Sequence, residues 1–275
     1  MRIQDLGGLE GPVLLFGGPY SNLQATEAIF EAAHNRGVRH MICTGDVVAY
    51  CANPAETVAM IRDSDCHVVA GNCEKQLAAG AMDCGCGFAD GSTCERLSAA
   101  WYAHVDAHIG VEDRAWMAGL PDMVTFTHET RRYAVIHGGV SDVSRFLWPT
   151  SEREEFRDEI NLIREHVHDV NFVIAGHCGI AYSRLIDAMP WVNAGAIGMP
   201  AHDGTQVLRY LLLREGRASL WEEPYDHKAA HAAMVAAGLT QGYHEALLTG
   251  YWPSEDVLPP DLRRDALDKW SLDNG

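Results

Sequence analysis

The sequence predicts an α/β fold in one domain, built on two packed β-sheets. Three observations carry this. Short apolar runs ending in glycine alternate with helical segments over residues 13–72. A second set of short strands follows, joined by tight turns and interrupted by one long helix. No linker, repeat or low-complexity run divides the chain, whose 275 residues, 47% of them hydrophobic, suffice for one large core.

The elements follow in order. Val13-Leu14-Leu15-Phe16 is an apolar run closed by Gly17-Gly18 and reads as a buried strand. Asn22 caps a helix that runs to about Arg36, with Leu23, Ile29, Phe30 and Ala33 on its inner side and Gly37 as its stop. Met41-Ile42-Cys43-Thr44 is a second strand, ending in Gly45-Asp46. Pro54 opens the next helix, over residues 55–62. His67-Val68-Val69-Ala70 is a third strand, ending in Gly71-Asn72. This β-α-β-α-β order predicts a parallel sheet with helices packed on it. Residues 78–94, rich in Gly, Asp and Cys, read as an irregular loop. Helices are expected at 95–108 and 112–117. The second group of strands falls at 124–127, 133–136, 172–175, 191–192, 206–213 and 219–221, with the long helix at 152–168 between them. Short strands and tight turns suggest that this second sheet is largely antiparallel. Residues 1–225 form the main domain, and 226–275 a helical, then irregular, extension packed on it.

The formal charge is −17, from 38 acidic and 21 basic residues. That excludes a broad basic surface for nucleic acid and disfavours an anionic membrane. The N-terminus lacks the pattern of a secretory leader, and no apolar run reaches the length of a membrane helix. The expected location is the cytoplasm, where the 8 cysteines would be thiols or metal ligands rather than a disulfide framework.

Five strand ends carry glycine or polar residues: Gly17-Gly18, Gly45-Asp46, Gly71-Asn72, His137-Gly138-Gly139 and Gly176-His177. Ligands of open α/β sheets bind at those edges. Singly, Asp46 and Asn72 are ordinary turn residues, and each His an ordinary hydrogen-bonded core residue. Together they bring a carboxylate, an amide oxygen and two imidazoles to one edge, a donor set suited to Zn, Mn or Fe.

These residues resemble the calcineurin-like metallophosphoesterases. The matching pieces, in the family's order, are Gly45-Asp46-Val47-Val48-Ala49-Tyr50, Gly71-Asn72-Cys73-Glu74, His137-Gly138-Gly139, Gly176-His177 and Asn193-Ala194-Gly195-Ala196-Ile197-Gly198, within a span of about 12–222. The resemblance implies a four-layer α/β sandwich of two mixed β-sheets flanked by helices. It also implies a two-metal site that clamps both oxygens of a phosphoester. Asp46 would bridge the metals, and Asn72, His137 and His177 would complete the shell of one. The other metal would keep only the shared Asp46. The family's Asp-x-His is here Gly18-Pro19-Tyr20, and the second His of its Gly-His-x-His is Gly179. A tyrosine phenol binds metal poorly at an ordinary pKa of about 10. Cys73 stands where the family has the histidine that assists the leaving group.

Cysteines crowd the same motifs. Cys73, Cys84 and Cys86 are candidate substitute ligands, and Cys73 also a candidate catalytic thiol. Cys84-Gly85-Cys86 lacks the spacing of a zinc knuckle, and Cys43, Cys51 and Cys66 read as small buried hydrophobes. His104 and His108, like His227 and His231, have helical i, i+4 spacing but no third ligand. His202, just after the last glycine motif, is a candidate substrate contact.

The functional expectation is a divergent metal-dependent phosphoesterase with a remodelled site. It would hold one Zn, Mn or Fe ion, with room for a second if thiolates replace the lost ligands. It would act on a small phosphorylated molecule or a phosphoprotein. A non-catalytic metal- or ligand-binding descendant is the alternative, and a thiol-based redox or metal-handling protein the third reading. Substrate and oligomeric state are left open by the sequence.

Overall fold

Alternation along single strands shows how the layers form. In β2 (Val13–Phe16), Val13 and Leu15 face one core while Leu14 and Phe16 face another. In β6 (Arg131–Ile136), Tyr133 and Val135 join the core that takes Val13, and Ala134 and Ile136 point away from it. Side chains alternate across a strand, so each sheet has two buried faces, and the shared core lies between the sheets. The computed structural model describes residues 1–265; the last part of the expected extension, 266–275, lies outside them.

The first sheet contains β2, β3 (His40–Cys43), β4 (His67–Val68), β10 (Val207–Arg214) and β11 (Arg217–Pro224), in the order β11-β10-β2-β3-β4. β2, β3 and β4 run parallel, while β10 pairs antiparallel with β2 and β11. The second sheet contains β1 (Ile3–Leu9), β5 (Met123–His128), β6, β7 (Phe172–Ala175), β8 (Ala181–Ile186) and β9 (Met189–Ala194), in the order β1-β5-β6-β7-β9-β8. Its pairings are parallel at β1–β5, β6–β7 and β7–β9, and antiparallel at β5–β6 and β8–β9.

Helices cover the outer faces. α1 (Leu23–Asn35), α2 (Pro54–Arg62), α4 (Thr93–His108) and α7 (His227–Ala236) lie over the first sheet, where Ile29, Val58, Val105 and Met234 enter one core. α6 (Arg153–His166) covers the second sheet through Phe156, Ile160 and Ile163, spaced four and three apart on one face. The result is the expected four-layer sandwich of two mixed sheets.

Three expectations change. Residues 206–213 and 219–221 belong to the first sheet, because β10 finds its partner in β2, about two hundred residues earlier. The second sheet is mixed, not largely antiparallel. Residues 72–79 form α3 (Asn72–Ala79), capped by Gly71, ahead of the glycine-rich loop. The remaining helices are α5 (Val111–Gly119) and α8 (Tyr243–Thr249). No helix among the described residues is long and apolar enough to cross a membrane.

Candidate metal centre and the chamber above it

The C-terminal edges of β3, β4, β6 and β7 deliver Asp46, Asn72, His137 and His177 to one point. Each of the four side chains is buried or nearly so. Asp46 (φ 55°) and His177 (φ 64°) both adopt the left-handed backbone that non-glycine residues rarely use. Such strain persists only where the surroundings impose it, and it gathers at functional sites. Glycine is required beside them: a Cβ on Gly71 would stand 2.6 Å from the Asp46 backbone nitrogen.

The chemistry of the cluster follows from its hydrogen bonds. His137 Nδ1 donates to the Thr44 carbonyl at 2.7 Å, which fixes the tautomer and leaves Nε2 with a lone pair. That Nε2 faces Asn72 Oδ1 at 3.1 Å, His177 Nδ1 at 3.1 Å and Asp46 Oδ2 at 3.3 Å. The Asn72 amide is oriented by its other end, since Nδ2 donates to the Cys84 carbonyl at 2.9 Å. Four acceptor atoms therefore converge. A proton between the two imidazoles would satisfy that pair and leave both oxygens facing a lone pair. The centre needs a cation, either a proton on His137 or a metal ion. One ligand atom each of Asp46, His137 and His177 lies within 4.8 Å of the other two, as ligands to a single ion require.

Electrostatics agree with that geometry. Burial opposes a charge on His137, but the adjoining Asp46 carboxylate outweighs it and holds the pKa above the ordinary histidine value. Burial likewise opposes ionisation of Asp46, and His137 overcomes it, keeping the carboxyl acidic. Burial, then the His137 charge, pushes His177 down to about 3, so its imidazole is neutral.

Glu74, to which the sequence reading gave no role, anchors the loop. Its Oε2 accepts from the Asp46 and Gly71 nitrogens at 2.8 and 2.9 Å, and its Oε1 from the Val47 nitrogen at 2.8 Å. Burial, then the Asp46 charge, raises its pKa to about 7. Its placement at the third position of a helix, directly after Asn72-Cys73, was the available signal.

The expected second-metal position is filled rather than vacant. A Cβ on Gly18 would lie 2.5 Å from Tyr20 Cζ and 2.8 Å from Ala196 Cβ, so the Tyr20 ring occupies the space of a side chain at position 18. A Cβ on Gly179 would meet the Trp252 ring at 3.4 Å and the Tyr20 hydroxyl at 3.9 Å. Two aromatic rings thus stand at the three positions named by the motif comparison.

The cysteines divide. Cys84 and Cys86 are joined to each other as a disulfide, which corrects the expectation that all cysteines are thiols and removes both as thiolate ligands in this state. Cys43, Cys51, Cys66, Cys73, Cys94 and Cys178 are free. Cys73 follows Asn72, and its Sγ lies 3.5 Å from Asn72 Nδ2. Burial, then the Asp46 charge, holds its thiol well above the ordinary value, so it is neutral. Among the described residues, no cysteine joins the ligand cluster.

A cavity of about 50 Å³ adjoins the candidate metal centre. Asp46 and His177 reach it, and Cys73 and Cys86 lie in its wall. His202 does not line it. Its Nε2 donates to Glu255 Oε1 at 2.8 Å and its Nδ1 accepts from the Trp252 nitrogen at 2.9 Å, so it ties down the tail rather than meeting a substrate.

A second cluster, His231, His244 and Glu245, sits on α7 and α8 at the surface. The Gly242 nitrogen donates to His244 Nδ1 at 3.4 Å, which puts the His244 proton on Nε2, toward Glu245. In that tautomer Nε2 carries a hydrogen and has no lone pair for an ion, so His244 is not a ligand.

Comparison with known proteins agrees with this fold. The model of the calcineurin-like phosphoesterase superfamily domain matches residues 20–215. An uncharacterized protein of Methanocaldococcus jannaschii is 26% identical over 241 residues, covering 84% of this chain and 95% of its own. Two crystal structures share the fold. A metallophosphoesterase from Sphaerobacter thermophilus has a TM-score of 0.65 at 19% identity, over 88% of this chain and 100% of its own. A hypothetical protein from Pyrococcus horikoshii has a TM-score of 0.72 at 15% identity, over 88% and 98%.

Proposed function

The chain belongs to the calcineurin-like phosphoesterase superfamily, and from that membership we propose that it is a phosphoesterase working with one divalent transition metal. The observation that carries the proposal is the convergence of His137 Nε2, His177 Nδ1, Asn72 Oδ1 and Asp46 Oδ2, which only a proton on His137 or a bound cation reconciles. Mixed nitrogen and oxygen donors suit Zn, Mn or Fe. When bound, such an ion polarises a phosphoryl oxygen and makes a coordinated water acidic.

The chain's own residues have distinct tasks. Asp46, Asn72, His137 and His177 hold the ion. Thr44 fixes the His137 tautomer, the Cys84 carbonyl orients Asn72, and Glu74 fixes the Asp46 loop. Cys73, neutral and buried, is suited to donating a weak hydrogen bond rather than to attacking phosphorus. The substrate is a small phosphorylated molecule or a phosphorylated protein side chain small enough to enter the cavity.

A second reading, a non-catalytic ligand-binding descendant, is favoured by the aromatic rings at the second-metal position. One experiment separates the two. Protein purified without chelator is analysed for metal and assayed with bis(p-nitrophenyl) phosphate. About one ion per chain, with turnover abolished in His137→Ala, supports the phosphoesterase. Metal without turnover supports the binder, and protein without metal at neutral pH defeats the phosphoesterase and leaves the binder.

A further inference from the structure

We infer that the chamber above the metal centre selects a phosphoryl compound whose organic group is a flat, uncharged aromatic ring. The phosphoryl end of this inference rests on the phosphoesterase reading; the ring end rests on the chamber alone.

The walls are aromatic and already packed. Tyr20, Tyr50, Phe146, Trp148, Tyr243 and Trp252 all line the cavity. Phe146 and Trp148 stack with centroids 5.1 Å apart and planes 2° from parallel. Phe146 also lies 4.3 Å from the His177 ring, so the apolar wall begins at a metal ligand. On the other side Tyr50 packs against Tyr20 at 4.9 Å and Tyr243 at 4.5 Å. Rings held by their neighbours lose little freedom when a ligand packs against them, so they bind a flat group cheaply.

The roof is fixed deliberately. Trp252 Nε1 donates to the Pro200 carbonyl at 2.7 Å, and its backbone nitrogen to His202 Nδ1 at 2.9 Å. The indole packs over Gly179, where a Cβ would lie in van der Waals contact with it at 3.4 Å.

Charge narrows the class. Among the described residues, none that lines the cavity is Lys or Arg, and the whole chain carries a formal charge of −17. Beyond what one ion neutralises, a polyphosphate or an acidic peptide would meet no counter-charge. A quaternary ammonium group also binds aromatic cages, but among the described residues the only carboxylate in the lining is Asp46, which the ion would engage. A neutral ring is the group that this lining satisfies completely.

The test uses phosphonates, which are not hydrolysed, on the full metal-loaded chain by isothermal titration calorimetry. Phenylphosphonate is expected to bind at least tenfold more tightly than methylphosphonate, with the gap narrowing to under threefold in Trp252→Ala and Phe146→Ala. Equal affinities, no binding of either, or a gap that survives both substitutions overturns the inference. So does tighter binding of the phosphonate analogue of phosphocholine, which would make the chamber a cation cage. Should the alanine variants fail to fold, Trp252→Leu and Phe146→Leu keep the apolar volume while removing the ring faces. Failure of the phosphoesterase reading looks different: the affinity gap remains while bis(p-nitrophenyl) phosphate is not turned over. Turnover without a gap refutes the aromatic selection alone.

Discussion

Restoring the family's carboxylate at position 18 tests whether the second metal was lost by subtraction or by replacement. Gly18 has φ +47°, where an L side chain costs about 1–2 kcal/mol. The new Cβ would also stand 2.5 Å from Tyr20 Cζ and 2.8 Å from Ala196 Cβ, an overpacking worth about 1–3 kcal/mol in a closed core. Gly18→Asp is therefore expected to cost about 2–5 kcal/mol. The smaller ring in Tyr20→His removes the worst clash, and His tolerates the left-handed backbone at position 20 (φ 53°) better than Tyr. Alone, Tyr20→His costs stability, because it removes the packing of a buried ring against Tyr50. Together, the two changes should be less damaging than their sum by about 1–3 kcal/mol, the coupling expected of residues that compete for one space. Urea unfolding of the four proteins measures the cycle. Additivity within about 0.5 kcal/mol, or a neutral Gly18→Asp, would refute the claim that the Tyr20 ring fills the side-chain space of position 18.

Further outcomes follow from the same geometry. Glu74→Gln places an amide N–H₂ against backbone donors that a carboxylate now satisfies; it should cost about 1–3 kcal/mol and weaken metal retention on dialysis, and unchanged values for both would remove Glu74 as the loop's anchor. The tail should loosen in acid. Burial chiefly lowers the His202 pKa, so the stability it contributes is present above the ordinary value of 6.5 and is lost as pH falls below it. The Glu255 carboxyl is held low by Arg264 against burial, and its contribution is lost in the same direction, below 4.5. Hydrogen exchange at the Trp252 amide, corrected for intrinsic rate, should therefore accelerate below pH 6.5, and a flat profile contradicts the tie to His202. Finally, alkylation of unfolded, unreduced protein should label Cys43, Cys51, Cys66, Cys73, Cys94 and Cys178, and reduction should add Cys84 and Cys86; eight labels before reduction would exclude the disulfide.

The sequence was most informative where local pattern and local structure coincide. The runs Val13–Phe16 and Phe172–Ala175 are buried on both faces, and their unbroken apolar character marks them. Glycines at their ends mark the turns that bring the ligand candidates together. β1 escaped notice because Gly7 and Gly8 interrupt it and its side chains are mostly exposed, leaving no apolar alternation. β8 escaped for a related reason, carrying exposed Ser183 and Leu185 along a sheet edge. The sheet to which β10 belongs depends on pairing with β2, and no local window contains that information. At the site, Asp46, Asn72, His137 and His177 were legible as strand ends. The filling of the second-metal position was not, because Gly18 and Gly179 show only a lost ligand, while the Trp252 that covers one of them lies far along the chain. The Cys84–Cys86 bond depends on loop conformation, on which spacing is silent.

The left-handed backbone at Asp46 and His177 has a consequence for how metal comes and goes. Each such residue costs about 1–3 kcal/mol, met when the chain folds and not when an ion arrives. Glu74 and the Thr44 carbonyl hold the donors in place without the ion. Uptake then requires no ordering of the chain, only displacement of water and of the proton on His137. Loading should be fast and should quicken as that proton leaves, while release, which must break several fixed bonds at once, should be slow. The metal-free protein should keep its fold, so a bound ion would exchange through a preorganised socket and would not be a prop on which folding depends.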